Sequence, residues 1–350
     1  MNTGSVPAVK DLVLVGGGHS HIAVLKRFGM RPLPGVRLTL ICRDTHAPYS
    51  GMLPGFIAGH YQFDEAHIDL VPLARFARAR FVHGEAEGLD LDQGHVLCRD
   101  RPPIAYDLLS LDIGSTPSLG EVPGAAGRVV PLKPIDGFVG RWDEVLARVR
   151  QAKGGLRIAV VGAGAGGVEV LLAAQHRLNR ELAGVPDARP NEFCLFADGP
   201  EILPTHHPAV RCIFRRVLAE RGVAVRAGHR VAAVEPGRLI FAGGASEAFD
   251  VILWATHAVA APWLKGAGLK ADPAGFVEVA ETLQSVSHPG VFAAGDIAAT
   301  VGHPRPKAGV FAVRHGRPLA GNLRRALLGL PLRPYRPQSR FLSLISTGDQ

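Results

Sequence analysis

The chain has 350 residues, enough for two domains with a core each; 47% hydrophobic and 20% charged residues fit an α/β protein with buried sheets. A net charge of +8 would suit a nucleic-acid binder, but the Lys and Arg residues are scattered and no such motif accompanies them, so nucleic acid is excluded as a partner. The four cysteines, Cys42, Cys98, Cys194 and Cys212, include no C-x-x-C and no metal-ligand spacing, which points to a reducing cytoplasm and no metal.

In chain order, Leu12-Val13-Leu14-Val15 is a short apolar run of the kind buried in a parallel sheet. It runs straight into glycines, so it reads as no secretory leader, and no segment approaches the ~20 apolar residues that span a bilayer. Gly16-Gly17-Gly18-His19-Ser20-His21 follows, then a helical run through Ile22, Val24, Leu25 and Phe28. After a turn at Pro32, Pro34 and Gly35, residues 37–41 form the second strand. A dinucleotide-binding unit places an acidic residue there for the adenosine ribose; this strand ends on Cys42, with Asp44 two places on as the substitute. The loop over residues 45–55, with Tyr49, Pro54 and Gly55, is dense in Pro and Gly and fits backbone packed closely against a flat ligand. Residues 69–79 read as a helix, 81–92 and 95–99 as a hairpin about Asp92-Gln93-Gly94, and 106–117 as a strand ending on a small-residue turn at Gly114-Ser115. Residues 118–128 read as a linker.

A second strand–glycine–helix unit lies at residues 156–171. Ile158-Ala159-Val160-Val161 is the strand, Gly162-x-Gly164-x-x-Gly167 the turn, and Val168, Leu171 and Leu172 start the helix. This is G-x-G-x-x-G in the setting that gives it meaning. Gly162 permits the tight turn, Gly164 lets a pyrophosphate approach the backbone, and Gly167 lets the helix sit close to the strand. The helix N-terminus then holds phosphate. The bland alternative is a pair of structural turns with no ligand, but two copies in one chain favour two dinucleotide sites. The next strand, 193–197, ends at Asp198 with no basic residue for a 2′-phosphate, which favours NADH over NADPH. The segment with Arg211, Arg215 and Arg216 is an amphipathic helix ended by Gly222. Residues 249–257, through Trp254, Thr256 and His257, repeat the arrangement at 106–115, so the duplication extends beyond the glycine loops. Residues 290–296 form a strand ending in Gly295-Asp296, and Pro306-Lys307-Ala308-Gly309-Val310 leads into a helix. Leu319, Leu323, Leu327 and Leu330 make its core-packing stripe, with a membrane-surface role the minority reading. Residues 340–347, from Arg340, read as a strand.

These segments resemble the two-dinucleotide-binding-domain flavoproteins, the pyridine nucleotide-disulfide oxidoreductase family. The marks are Gly16-x-Gly18, Asp107 with Gly114-Ser115, Gly162-x-Gly164-x-x-Gly167-x-Glu169, Asp250 with Trp254-Ala255-Thr256, and Val291 with Gly295-Asp296. Within the family the chain resembles type II NADH dehydrogenases. The strings at 16–21, 49–55 and 306–311 further resemble the flavoprotein segment that some bacteria fuse ahead of selenide, water dikinase.

The resemblance implies an α/β fold of two Rossmann-like domains, the second inserted in the first, with small antiparallel β additions. An FAD-binding domain would take residues 1–120 and 286–350, and an NAD(P)H-binding domain 121–285. FAD would lie on Gly16, Gly18, His19, Ser20, Asp44, Pro54 and Gly114, with Gly295 and Asp296 at its ribityl–phosphate region and Lys307 and Ala308 near the flavin ring. NAD(P)H would lie on Gly162, Gly164, Gly167, Asp198 and Thr256, with Glu169 facing the nicotinamide. Lys307 and Glu169 would serve catalysis, Lys307 and its helix N-terminus stabilising charge on the reduced flavin. Their bland readings are a helix-start lysine and a first-turn acid. His21 stands where the first loop's third glycine belongs and should push the helix away from its strand. Ser50 stands where disulfide-reducing members carry a redox cysteine, so dithiol chemistry is not expected. His19 and His21 sit where phosphates pack, so no metal is expected there. The implied activity is hydride transfer from NAD(P)H through FAD to a quinone or another small acceptor. The alternatives are oxidoreduction of a sulfur or selenium compound, or a docking module that binds FAD and NAD without turnover. Expected partners are that quinone or chalcogen acceptor, a selenide, water dikinase domain or protein, and a second copy of the chain. The expected place is the cytoplasm, or its membrane's inner face.

Overall fold

The computed structural model describes residues 10–133, 135–256, 258–339 and 341–349; His257 and Arg340 of the segments named above lie outside them. The main elements begin with β1 (Lys10–Val15), α1 (His19–Met30), β2 (Val36–Cys42), α2 (Leu53–Ala58), α3 (Leu70–Phe76), β3 (Arg80–His83), β4 (Ala86–Asp90), β5 (His95–Cys98) and β6 (Leu108–Leu111). They continue with α4 (Ile135–Ala152), β7 (Arg157–Val161), α5 (Ala165–Leu182), β8 (Glu192–Phe196), α6 (Pro208–Glu220), β9 (Ala224–Arg226) and β10 (Val251–Trp254). β11 (Val277–Val279), β12 (Val291–Ala293), β13 (Ala298–Thr300) and α7 (Gly309–Leu327) follow. The described residues fall into two compact units, one of 10–49, 67–115 and 259–342, the other of 50–66, 116–258 and 343–349.

The first unit is built on a five-stranded parallel sheet in the order β12-β6-β1-β2-β3. A parallel sheet needs cover on both faces, which is why Leu12, Val13, Leu14 and Val15 are all buried. α1 and α7 pack closely on each other: a Cβ on Gly316 of α7 would lie 2.4 Å from Cβ of Ala23. Leu319, Leu323 and Leu327 are buried as expected. Leu330 is not part of that stripe, because α7 has already ended and the residue is 46% exposed. The hairpin pairs β4 with β5, Asp90 opposite His95. Residues 81–83, expected in that hairpin, belong instead to β3 and pair in parallel with β2, which buries Val82 in the main sheet.

The second unit repeats the plan. Its parallel sheet runs β9-β8-β7-β10, with the short strand Val130–Pro131 beyond β10. Phe138 and Trp142 of α4 stack 6.0 Å apart in its core. Each unit also carries a three-stranded antiparallel sheet, 86–105 in the first and 231–248 in the second. The architecture is therefore α/β with two Rossmann-type units and small antiparallel additions, as expected.

The boundaries differ from the expected ones in four places. Residues 259–285 belong to the first unit, because β11 pairs in parallel with β13 and Gln284 bridges to Phe292. Residues 50–66 belong to the second unit, because α2 places Leu53, Ile57 and Ala58 in the core that α5 lines. Residues 118–128 are no loose linker: Ala125 is fully buried, and Leu119 and Val122 pack beside it. Residues 343–349 also join the second unit, and residues 341–347 form no strand. Their polar backbone is taken by side chains instead, Ser346 N donating to Glu169 and Thr347 O accepting from Arg221. Leu342 and Leu344 are 81% and 79% exposed. Among the described residues no helix is long and apolar enough to cross a membrane.

Because Ile57 is fully buried in the second unit, Ile57→Ala should cost about 2–5 kcal/mol of that unit's stability, as core truncations do. Urea unfolding would measure it; no loss of stability would remove α2 from that core.

Candidate functional site: two glycine cradles

In the second unit the turn after β7 admits only glycine at two points. Gly162 has φ +111°, and a Cβ there would lie 2.5 Å from the Ala255 carbonyl oxygen. A Cβ on Gly167 would lie 1.8 Å from the Gly162 carbonyl oxygen, so α5 crosses directly over the end of its strand. Gly164 is the N-cap of this 18-residue helix, with no side-chain cap and nothing within 4 Å of where its Cβ would stand. An open glycine at a helix N-terminus fits a pyrophosphate. Nearby, the Thr256 hydroxyl is buried with no partner among the described residues, while Asp198 follows β8 and accepts from its neighbour Gly199 N at 2.9 Å. Glu169, on the first turns of α5, accepts from Ser346 N at 2.9 Å, and burial raises its pKa.

The first unit arranges the same turn differently. Gly16 has φ +94°, and its Cβ would meet the Asp112 carbonyl, as Gly162 meets that of Ala255. His21 stands at the third position with its ring turned down into the fold, Nδ1 2.7 Å from the Gly16 carbonyl and Nε2 2.8 Å from Ser110 Oγ. A carbonyl can only accept, so Nδ1 carries the proton and Nε2 accepts from the serine. The matching position of the second unit admits no Cβ, whereas here the side chain is present and its ring binds the turn's carbonyl. Burial pushes the His21 pKa down to about 4. The ring therefore lies beneath the cradle and does not fill it.

Other expected residues sit around this turn with mixed outcomes. His19 leans on Tyr49, ring centroids 5.0 Å apart, and its Nε2 is buried without a partner among the described residues. The Ser20 hydroxyl lies within hydrogen-bond reach of both the Ala312 carbonyl, at 2.7 Å, and the Asp112 carboxyl. Asp44 is engaged by Arg43, whose Nε donates to it at 2.9 Å. Pro54 lies at the start of α2, buried in the second unit. Gly114 has φ +71° and open space around it. Asp296 accepts from Ser115 Oγ at 3.0 Å, and Gly295 N donates to His315 Nδ1 at 3.1 Å. Lys307 donates to the Ala298 carbonyl at 2.7 Å and lies 3.8 Å above the Phe276 ring. With Asp296 and His315 it borders a cavity of about 360 Å³. Ala308 is the N-cap of α7.

Sequence reasoning missed Asp112, His315 and Ser110. Asp112 is 2% exposed and accepts from the amides of Ser20 and His21, the latter at 3.0 Å. The signal for it was the repeat itself, in which the matching place is held by Ala255.

The pyridine nucleotide-disulphide oxidoreductase family matches residues 10–316. The NADH dehydrogenase-like protein YutJ of Bacillus subtilis is 28% identical over 251 residues, spanning 70% of this chain and 64% of that protein. The chain thus matches less than two thirds of that relative's length. Demethylphylloquinone reductase NdbB of Synechocystis is 22% identical over 353 residues, 96% of this chain and 85% of that one. Among solved structures, the sulfide:quinone oxidoreductase of Aquifex aeolicus has a TM-score of 0.75 at 19% identity, covering 92% of this chain and 78% of that chain. That likeness shows the fold.

Gly167→Ala should strike the Gly162 carbonyl and cost about 1–3 kcal/mol of the second unit's stability; urea unfolding would read it, and unchanged stability would refute the close crossing. His21 and His315 are both held down to about 4 from 6.5 by burial. A depressed histidine contributes stability above its unfolded pKa that is lost as pH falls through the folded one. The urea midpoint should therefore drop between pH 6.5 and about 4, and less steeply in His21→Gln.

Proposed function

The chain belongs to the pyridine nucleotide-disulphide oxidoreductase family, and on that premise we propose that it is an FAD-dependent NAD(P)H oxidoreductase serving a quinone or another small acceptor. The observation that carries the reading is the open cradle at Gly164, on a helix N-terminus with Glu169 one turn on. In this reading the second unit holds NAD(P)H and the first holds FAD. Bound FAD supplies a two-electron carrier between a nicotinamide donor and a separate acceptor.

The chain's own residues would bind and orient. Gly162, Gly164 and Gly167 admit the coenzyme pyrophosphate to the N-terminus of α5. Asp198 would take ribose hydroxyls, favouring NADH, and the buried Thr256 hydroxyl gains a partner. The Glu169 carboxyl, fixed by Ser346 N, would orient the nicotinamide carboxamide; its raised pKa makes it a hydrogen-bond donor over a wider pH range. In the first unit Gly16, Gly18, His19, Gly114, Gly295, Asp296 and the N-cap at Ala308 would hold FAD, with the Lys307 charge beside it. Dithiol chemistry is disfavoured because the loop at 45–55 holds no cysteine and burial pushes the Cys42 thiol up, away from the reactive thiolate. A quinone acceptor is supported by the NdbB relative, which carries a quinone reductase name. A sulfur or selenium compound is the second reading, favoured by the strings at 16–21, 49–55 and 306–311 that resemble the dikinase-fused flavoproteins. A reducing cytoplasm, at the membrane's inner face where a quinone is met, suits the first.

The purified protein should be yellow, and NADH should bleach its visible flavin absorption without oxygen. A colourless protein, or a yellow one unmoved by NADH and NADPH, would leave only the docking reading. Glu169→Gln should keep its FAD while the anaerobic reduction slows about tenfold, a loss of about 1.4 kcal/mol of transition-state stabilisation; an unchanged rate would return Glu169 to a structural role.

A further inference from the structure

The two cradles differ at the place where an anion would sit. In the second unit the space at Gly164 is open. In the first, a Cβ on Gly18 would lie 2.3 Å from Asp112 Cγ and 2.4 Å from each carboxyl oxygen. A Cβ on Gly295 would lie 2.3 Å from Asp112 Oδ1. The carboxyl is thus wedged between two glycines, with the Ser20 and His21 amides of α1 donating to it and Gly18 N donating to the Asp112 carbonyl at 3.1 Å. Strand registers identify the counterpart: Val15 pairs with Leu111 and Val161 with Trp254, so Asp112 corresponds to Ala255. One unit offers its helix N-terminus to solvent; the other has closed it with a carboxyl of its own.

We infer that Asp112 is an internal stand-in for phosphate, and that it takes up a proton when the first unit binds the pyrophosphate of an adenine dinucleotide. The inference rests on the FAD reading above. Two anions at one helix N-terminus repel strongly in a buried setting, and the titratable groups around the cradle do little to offset this. From α1 come His19 and His21, both with pKa lowered by burial. From α7 comes His315, likewise held down to about 4, and from the turn after β12 comes Asp296, whose charge opposes that of Asp112. Lys307 gives its ammonium to the Ala298 carbonyl. Burial, with Asp296 adding, moves the Asp112 carboxyl from 3.8 up to about 7, so its charge changes in the neutral range.

The sign follows. Below about 7 the carboxyl is neutral and the dinucleotide is accepted; above it, one proton must be bound with each FAD, and affinity falls towards tenfold per pH unit. The same raised pKa costs the flavin-free protein stability as pH rises from 3.8 through about 7.

The test titrates FAD into the flavin-free full chain at about pH 6 and about pH 8, reading flavin fluorescence, with proton uptake measured calorimetrically in two buffers of different ionisation enthalpy. The wild type should bind about tenfold more weakly at the higher pH, with close to one proton taken up. Asp112→Asn and Asp112→Ala should both bind at the higher pH as the wild type does at the lower, with NADH affinity unchanged. Both should also be more stable than the wild type at the higher pH without flavin. FAD bound with no pH slope and no proton uptake would overturn the inference alone. So would loss of FAD in both variants at every pH with circular dichroism intact. FAD bound by none of the three proteins at any pH would overturn the FAD reading and this inference with it.

Discussion

A helix that follows a parallel strand must cross the carbonyl on which the strand ends, and the closeness of that crossing decides what else the turn can hold. At Gly167 the crossing leaves no room for even one carbon. The amides of the first turn of α5 then face outward unopposed by any side chain. At the matching place in the first unit stands His21. The imidazole fills the gap and hydrogen-bonds the carbonyl it spans, and Asp112 takes the amides. Both solutions satisfy the local backbone; they leave different surfaces for a ligand.

The fold around each crossing is assembled from chain segments that depart and return. The first unit is made of three stretches and so is the second. What ties the returning pieces down is ordinary packing and pairing: β12 beside β6, α2 against the core that α5 lines, residues 345–348 along α5 itself. A Cβ on Gly348 would meet the Leu172 carbonyl at 2.5 Å, so this last stretch lies close on the helix backbone.

Much of this was legible in the sequence, for physical reasons that also mark its limits. Leu12–Val15 and Ile158–Val161 are apolar throughout, which only a strand covered on both faces requires. Gly16 and Gly162 after them sit at positive φ, and a side chain at Gly18 or Gly167 would collide with its neighbours. α2 was read as a loop because Pro54 and Gly55 looked like turn residues. Proline is tolerated in a helix's first turn, where its missing N–H is not needed. Residues 341–347 form no strand because Leu342 and Leu344 alternate without a sheet to face. Asp112 was hidden because Ser110-Leu111-Asp112 looks like any strand end. Only its contacts show that the carboxyl points inward at the loop and not outward.

His21, Ser110 and Asp112 hold one another's hydrogen bonds, and the second unit has Gly167, Leu253 and Ala255 in their place. Transplanting position 21 alone between the halves would strand a polar group. Glycine at 21 alone leaves Ser110 without its acceptor, and leucine at 110 alone leaves no room for the imidazole. The two halves of this duplicated chain are therefore no longer interchangeable parts.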